Sequence, residues 1–170
     1  MPGIHSAETD LDTCIAFLNE IGITVRFKKI EGAPFLPGLS IENGGIIIDK
    51  ERLTYPGDIL HEAGHIAVVP ALERSTLDAA SIEKRKDREA EEMMAIAWSY
   101  AACLHLGIDP YFVFHNDGYQ KGGSHIADNF RDKKYFGVPM LQWTELTADK
   151  KNAMEMNIAP FPSMIKWLRD

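Results

Sequence analysis

Apolar and polar positions along this chain change period several times, and each change marks an element. Between residues 8 and 21, Leu11, Cys14, Ile15, Phe17 and Leu18 fall on one stripe, which predicts an amphipathic helix ended by Gly22. Residues 23–30 alternate in their first half through Ile23, Val25 and Phe27, the pattern of a half-buried strand. Gly32-Ala33-Pro34 and Pro37-Gly38 punctuate the loop that follows. Residues 39–42 and 46–49 then flank Asn43-Gly44-Gly45, a strong hairpin signal.

Tyr55-Pro56-Gly57-Asp58 opens a second helix, with proline near the first helical position and an acidic residue at the positive helix start. Ile59, Leu60, Ala63, Ile66, Ala67 and Val69 supply its apolar surface, and Pro70 stops it. A longer helix is expected over residues 78–106, charged in its first half, apolar from Met93 onward, and terminated at Gly107-Ile108-Asp109-Pro110. Residues 111–142 mix aromatics and glycines without a clear period. Thr147 is expected to cap a last short helix, and Pro160 and Pro162 to keep the tail extended before residues 164–168. The expected fold is α+β, with an N-terminal helix and a small, mainly antiparallel sheet packed on the second helix and the long one.

A length of 170 residues suits one domain spanning 1–170, and 45% hydrophobic with 25% charged residues is ordinary for a soluble protein. The net charge of −7 argues against nucleic acid or an anionic membrane as partner. The basic cluster Lys84-Arg85-Lys86 is interleaved with acids and reads as a solvated helix face. Residues 1–6 carry neither a basic nor an apolar leader region, and nothing approaches the ~20 apolar residues needed to span a bilayer. Cys14 and Cys103 lie far apart in apolar settings, as small buried hydrophobes would, so a reduced, cytoplasmic location is expected.

The chemistry concentrates in His61-Glu62-Ala63-Gly64-His65, an H-E-x-x-H lying inside the second helix. Residues four apart share a helix face, so His61 and His65 can present two imidazoles to one metal ion. Glu62, one step round, can reach a water held there and act as general base. Zinc with two imidazoles and one further protein ligand keeps a position open for chemistry. A third histidine six residues on is excluded, because position 71 is Ala71 and the glycine that such a pattern needs at 68 is Val68. A carboxylate from the next helix remains, and Asp87, Glu89, Glu91 and Glu92 all lie near its turn from charged to apolar. Glu92 is the best placed of the four, since its face continues through the small residues Ala95 and Ser99. For an oxyanion donor His115 and Tyr119 are candidates by position only; a structural role is favoured for both, as it is for His105 and His125. Gly118-Tyr119-Gln120-Lys121-Gly122-Gly123 lacks the Gly-Lys-Ser/Thr of a phosphate loop; an ordinary loop is favoured, a flap over the metal cleft being the other reading.

These motifs resemble the zincin fold and, more narrowly, the ImmA/IrrE-type metallopeptidases. Those proteins carry H-E-x-G-H and a later helix with a Glu-x-x-Ala-x-x-Phe-Ala pattern. Here Glu92-Met93-Met94-Ala95-Ile96-Ala97-Trp98-Ser99 is similar, with Trp98 for Phe and Ser99 for Ala. The resemblance covers about residues 10–105 and implies zinc held by His61, His65 and Glu92, with Glu62 as general base. A competing alignment through Asp87-Arg88-Glu89-Ala90 would put aspartate in the ligand slot. The expectation is a zinc metallopeptidase acting on a protein or peptide. A non-catalytic zincin-fold binding module, its metal structural or absent, is the alternative; retention of Glu62, which serves the water and not the metal, favours the enzyme.

Overall fold

Serine at position 6 accepts a hydrogen bond from Thr9 N and starts α1 (Ala7–Ile21), which Gly22 closes in the left-handed conformation at φ 97°. The computed structural model describes residues 6–170; most of the 1–6 stretch read for a leader lies outside them. Cys14, Phe17 and Leu18 form the buried stripe of α1.

Three strands follow: β1 (Val25–Phe27), β2 (Leu39–Glu42) and β3 (Gly45–Ile48). Asn43 and Gly44, at φ 51° and 69°, make the tight turn between β2 and β3, as the Asn-Gly signal requires. The sheet order is β1-β3-β2, with β2 antiparallel and β1 parallel to β3, so the sheet is mixed rather than mainly antiparallel. The cause lies in the loop 28–38: only a tight turn forces an antiparallel neighbour, and this loop carries the chain across to the far edge of the sheet. Ile46, Ile47 and Ile48 of the central strand are all fully buried, which is why they run without alternation.

Beneath the sheet lies α2 (Asp58–Ala67), followed by the short α3 (Ala71–Arg74). The expected long helix is two: α4 (Ala79–Glu83), opened by an Asp78–Ser81 capping box, and α5 (Arg88–Leu106). Good helix formers fill the gap at 84–87, but Arg85 turns inward there. Its guanidinium grips both oxygens of Glu91, Nε at 2.6 Å and Nη2 at 2.8 Å, and Nη1 reaches Glu73 at 2.7 Å. The Glu91 side chain is only 7% exposed, so Arg85 leaves the solvated face expected of this cluster for a partly buried, bidentate ion pair, while Lys84 and Lys86 stay exposed on it.

Beyond Gly107, turns of 3-10 helix at Pro110–Phe112 and Tyr119–Lys121 lead to α6 (Gly123–Arg131), α7 (Val138–Trp143) and α8 (Lys150–Met156). Asp149, not Thr147, caps α8, its carboxylate accepting from Asn152 N. Thr147 is buried and its hydroxyl donates to Ser163 O at 2.7 Å, because residues 161–165 fold back along 146–148 instead of running on extended. Trp167 then packs edge-on to Trp98 and Phe17, and Arg169 donates from its backbone to Ala67 O at 2.9 Å, filling a carbonyl at the end of α2. No helix among the described residues is long and apolar enough to cross a membrane.

α2 and α5 form the broadest helix contact in the molecule, and Gly64 sets its distance. A Cβ at position 64 would stand 2.8 Å from Ala95 O and 3.0 Å from Ala95 Cα, so the two backbones touch. Gly64→Ala is expected to push the helices apart. It should lower the melting midpoint by about 3–6 °C, since overpacking of about 2–3 kcal/mol outweighs about 1 kcal/mol of helix propensity. Calorimetry checks this; an unchanged or raised midpoint would count against so tight a contact.

Candidate metal centre

One turn along that contact, two histidines of α2 meet one glutamate of α5. His61 Nε2 and His65 Nε2 are 3.1 Å apart, Glu92 Oε2 is 3.1 Å from His65 Nε2, and Glu92 Oε1 is 3.5 Å from His61 Nε2. Bonds of about 2.0–2.1 Å around a tetrahedral zinc separate its ligands by roughly 3.3 Å, so this spacing fits such an ion. Among the described residues this is the one group of three or more His, Cys, Asp or Glu able to hold a metal. The two histidine side chains are 13% and 10% exposed and that of Glu92 is 40% exposed, so the open approach lies on the glutamate side.

Of the four carboxylates considered for the third position, only Glu92 reaches the histidines. Glu91 points away into Arg85, while Asp87 and Glu89 are exposed. The small residues of α5 permit the approach: Ala95 meets Gly64, and buried Ser99 Oγ donates to Ala95 O at 2.6 Å and lies 3.3 Å from Leu60 O.

Burial, with His65 beside it, pushes the His61 pKa down to about 3, so this imidazole stays neutral and keeps a lone pair for a metal. At His65 burial acts in the same direction, but the hydrogen bond to Glu92 and the Glu62 charge outweigh it and raise the pKa. Burial would raise Glu92; the same bond and the two imidazoles prevail and bring it down to about 2. Glu62 is lifted by burial to about 7, with Asp58 and Glu92 adding to the rise and His65 opposing it.

Asp58, the first residue of α2, does more than place a favourable charge at the helix start. It is 6% exposed, and its Oδ1 lies 2.8 Å from His115 Nε2. His115 stacks on Tyr55 with centroids 4.2 Å apart and planes 9° from parallel, and Tyr55 Oη donates to Asp117 Oδ2 at 3.0 Å. Held by Asp58, His115 anchors a segment. Tyr119 differs: its ring stands edge-on to His61 at 5.3 Å. No periodicity could have drawn Tyr119 in, because the turn that carries it has none. His105 packs against Phe17 and Trp167, and His125 is exposed on α6, so neither joins the centre. Cys14 and Cys103 are buried free thiols, and burial lifts Cys14 to about 12.

Compared with known protein families, curated proteins and solved structures, the chain matches none.

Proposed function

We propose that this chain is a zinc-dependent metallopeptidase that hydrolyses a peptide bond in a protein or peptide substrate. The observation that carries the reading is the convergence of His61, His65 and Glu92 within 4.8 Å, with Glu62 on the same turn of helix. A small mixed sheet beside the histidine-bearing helix, and a glutamate on the long helix that follows, are in keeping with the zincin resemblance. Two buried free thiols suit a reduced, cytoplasmic setting.

His61, His65 and Glu92 would hold the ion. Zinc there supplies Lewis acidity toward a carbonyl oxygen and makes water a stronger acid. Glu62 does the proton work. In the metal-free chain its pKa is about 7, and a cation nearby would lower it, leaving a carboxylate at neutral pH. That carboxylate accepts a proton from the attacking water and returns it to the departing amine nitrogen.

The test is zinc uptake followed by native mass spectrometry, with a mixed peptide library as substrate. One zinc per chain is expected, with cleavage that stops on chelation and resumes on zinc addition. Failure to take up any zinc would remove the basis of the reading. Uptake without cleavage would favour a binding module built on the same site.

A further inference from the structure

A cavity of about 420 Å³ opens where the start of β1, the turn between β2 and β3, and α3 meet. It shares no residue with the metal centre. Its volume lies within the roughly 300–1,000 Å³ typical of small-molecule sites. The walls are fixed to one another. Gly44 N donates to Leu77 O and Ile46 N to Thr24 O, both at 2.9 Å. A Cβ on Gly44 would stand 2.2 Å from Arg74 O, and one on Gly45 3.0 Å from Thr24 O, so the turn is wedged between β1 and α3. The cavity is therefore built into the fold rather than left by a loose loop.

Its lining is cationic. Acidic residues outnumber basic ones by 25 to 18 in this chain, yet no carboxylate lines the cavity, and two arginines, Arg26 and Arg74, do. Neither arginine forms an ion pair among the described residues. Arg74 is held by neutral carbonyls: Nε donates to Ile66 O and Nη2 to Val69 O, each at 3.3 Å, and Nη2 also reaches Arg169 O. Those bonds orient its charge without cancelling it. Asp170, the acid whose charge bears on Arg74, is paired with Lys166 and lies outside the lining. Thr24, Asn43 and Ser75 complete the polar wall, while Gly22, Gly45 and Ala71 leave room beside it.

We propose that this cavity binds a small organic phosphate, whose phosphoryl oxygens accept hydrogen bonds from the guanidinium groups of Arg26 and Arg74. A phosphate monoester carries nearly two negative charges on three strong acceptor oxygens, which two guanidinium groups can share. A single carboxylate would balance only one of them. The volume holds the carbon body of the ester as well as its phosphate. The site stands apart from the metallopeptidase reading, and its test uses metal-free protein so that phosphate cannot bind through zinc.

Calorimetry of the metal-free full chain at constant ionic strength, with ribose 5-phosphate, inorganic phosphate and citrate as probes, tests this. One ribose 5-phosphate per chain is expected, bound more tightly than either of the other two. Arg26→Gln should weaken it at least ~10-fold, since a charge-assisted contact is lost. Ser75→Glu, which brings a carboxylate to the lining, should abolish it. Both positions are exposed, so melting midpoints should shift by no more than about 1–2 °C. Lys151→Gln, which removes one charge from exposed α8, should leave the affinity unchanged. Absence of ribose 5-phosphate binding at millimolar concentration would overturn the site, as would equal losses from Arg26→Gln and Lys151→Gln. Citrate binding as tight as that of ribose 5-phosphate would overturn the phosphate assignment, and inorganic phosphate binding as tight would overturn the organic body.

Discussion

Glutamine in place of Glu62 is expected to leave zinc in place and to abolish peptide cleavage, with kcat falling by at least ~10³-fold. The substitution keeps the volume and helix propensity of the side chain and removes only its ability to accept and return a proton. Glu62 lies between the two histidines on α2 but is not one of the three residues whose ligand atoms converge, so metal content and turnover should separate. Retained cleavage in a zinc-replete Glu62→Gln protein would sink the assigned mechanism. The same variant carries a pH signature in the metal-free state. Burial lifts Glu62 from its ordinary 4.5 to about 7, so the folded chain binds this proton more tightly than the unfolded chain over that interval. Wild-type stability therefore falls as pH rises from 4.5 to 7, and a glutamine, which has no proton to lose, escapes that fall. The stability of the metal-free variant relative to the wild type should rise by about 2–3 kcal/mol between pH 5 and pH 8, read from urea unfolding at the two values. An equal difference at both pH values would show that Glu62 is not held protonated by its surroundings.

Alanine at position 92 is expected to cost the chain its zinc, with affinity falling at least ~10³-fold, because two imidazoles alone make an incomplete site. The comparison with its neighbours carries the discrimination. Glu89→Ala should change neither metal content nor stability, the side chain being exposed on the first turn of α5. Glu91→Ala should keep zinc yet lose about 2–3 kcal/mol of stability, since it strips the bidentate partner from Arg85. Zinc release by Glu89→Ala or Glu91→Ala, with Glu92→Ala still loaded, would move the third ligand elsewhere. Equilibrium dialysis with metal analysis, beside thermal melts, reads all three variants at once.

What the sequence disclosed and what it hid divide along physical lines. Local signals were legible: Gly22 closes α1, Asn43-Gly44 turns the hairpin, and the four-residue spacing of His61 and His65 puts both on one face. The place of Glu92 beside them was legible too, since its face continues through the small residues Ala95 and Ser99, which let α5 approach α2. Hidden features depend on partners far along the chain. Lys84, Arg85 and Lys86 are good helix formers, yet the helix is interrupted there, where Arg85 reaches to Glu73 and Glu91. The parallel pairing of β1 with β3 follows from the path of a loop, and Thr147 turns from capping to Ser163 because residues 161–165 return beside it. Tyr119 was visible as a residue but not as a neighbour of His61, because its strained turn is maintained by contacts to Asp58 and Tyr55 about sixty residues earlier in the chain.

The packing of Trp98 has a use beyond stability. Its indole N–H donates to Trp167 O at 3.0 Å, and the two rings stand edge-on with centroids 5.5 Å apart, while Trp143 is almost fully exposed. Two indoles locked in a fixed, asymmetric relation should give a strong near-ultraviolet dichroic signal, to which the solvent-exposed third adds little. Because Trp98 rides on the helix that bears Glu92, that signal is a label-free optical report on the packing around α5. It would vanish if the helices persisted without specific packing, as their far-ultraviolet spectrum alone would not reveal.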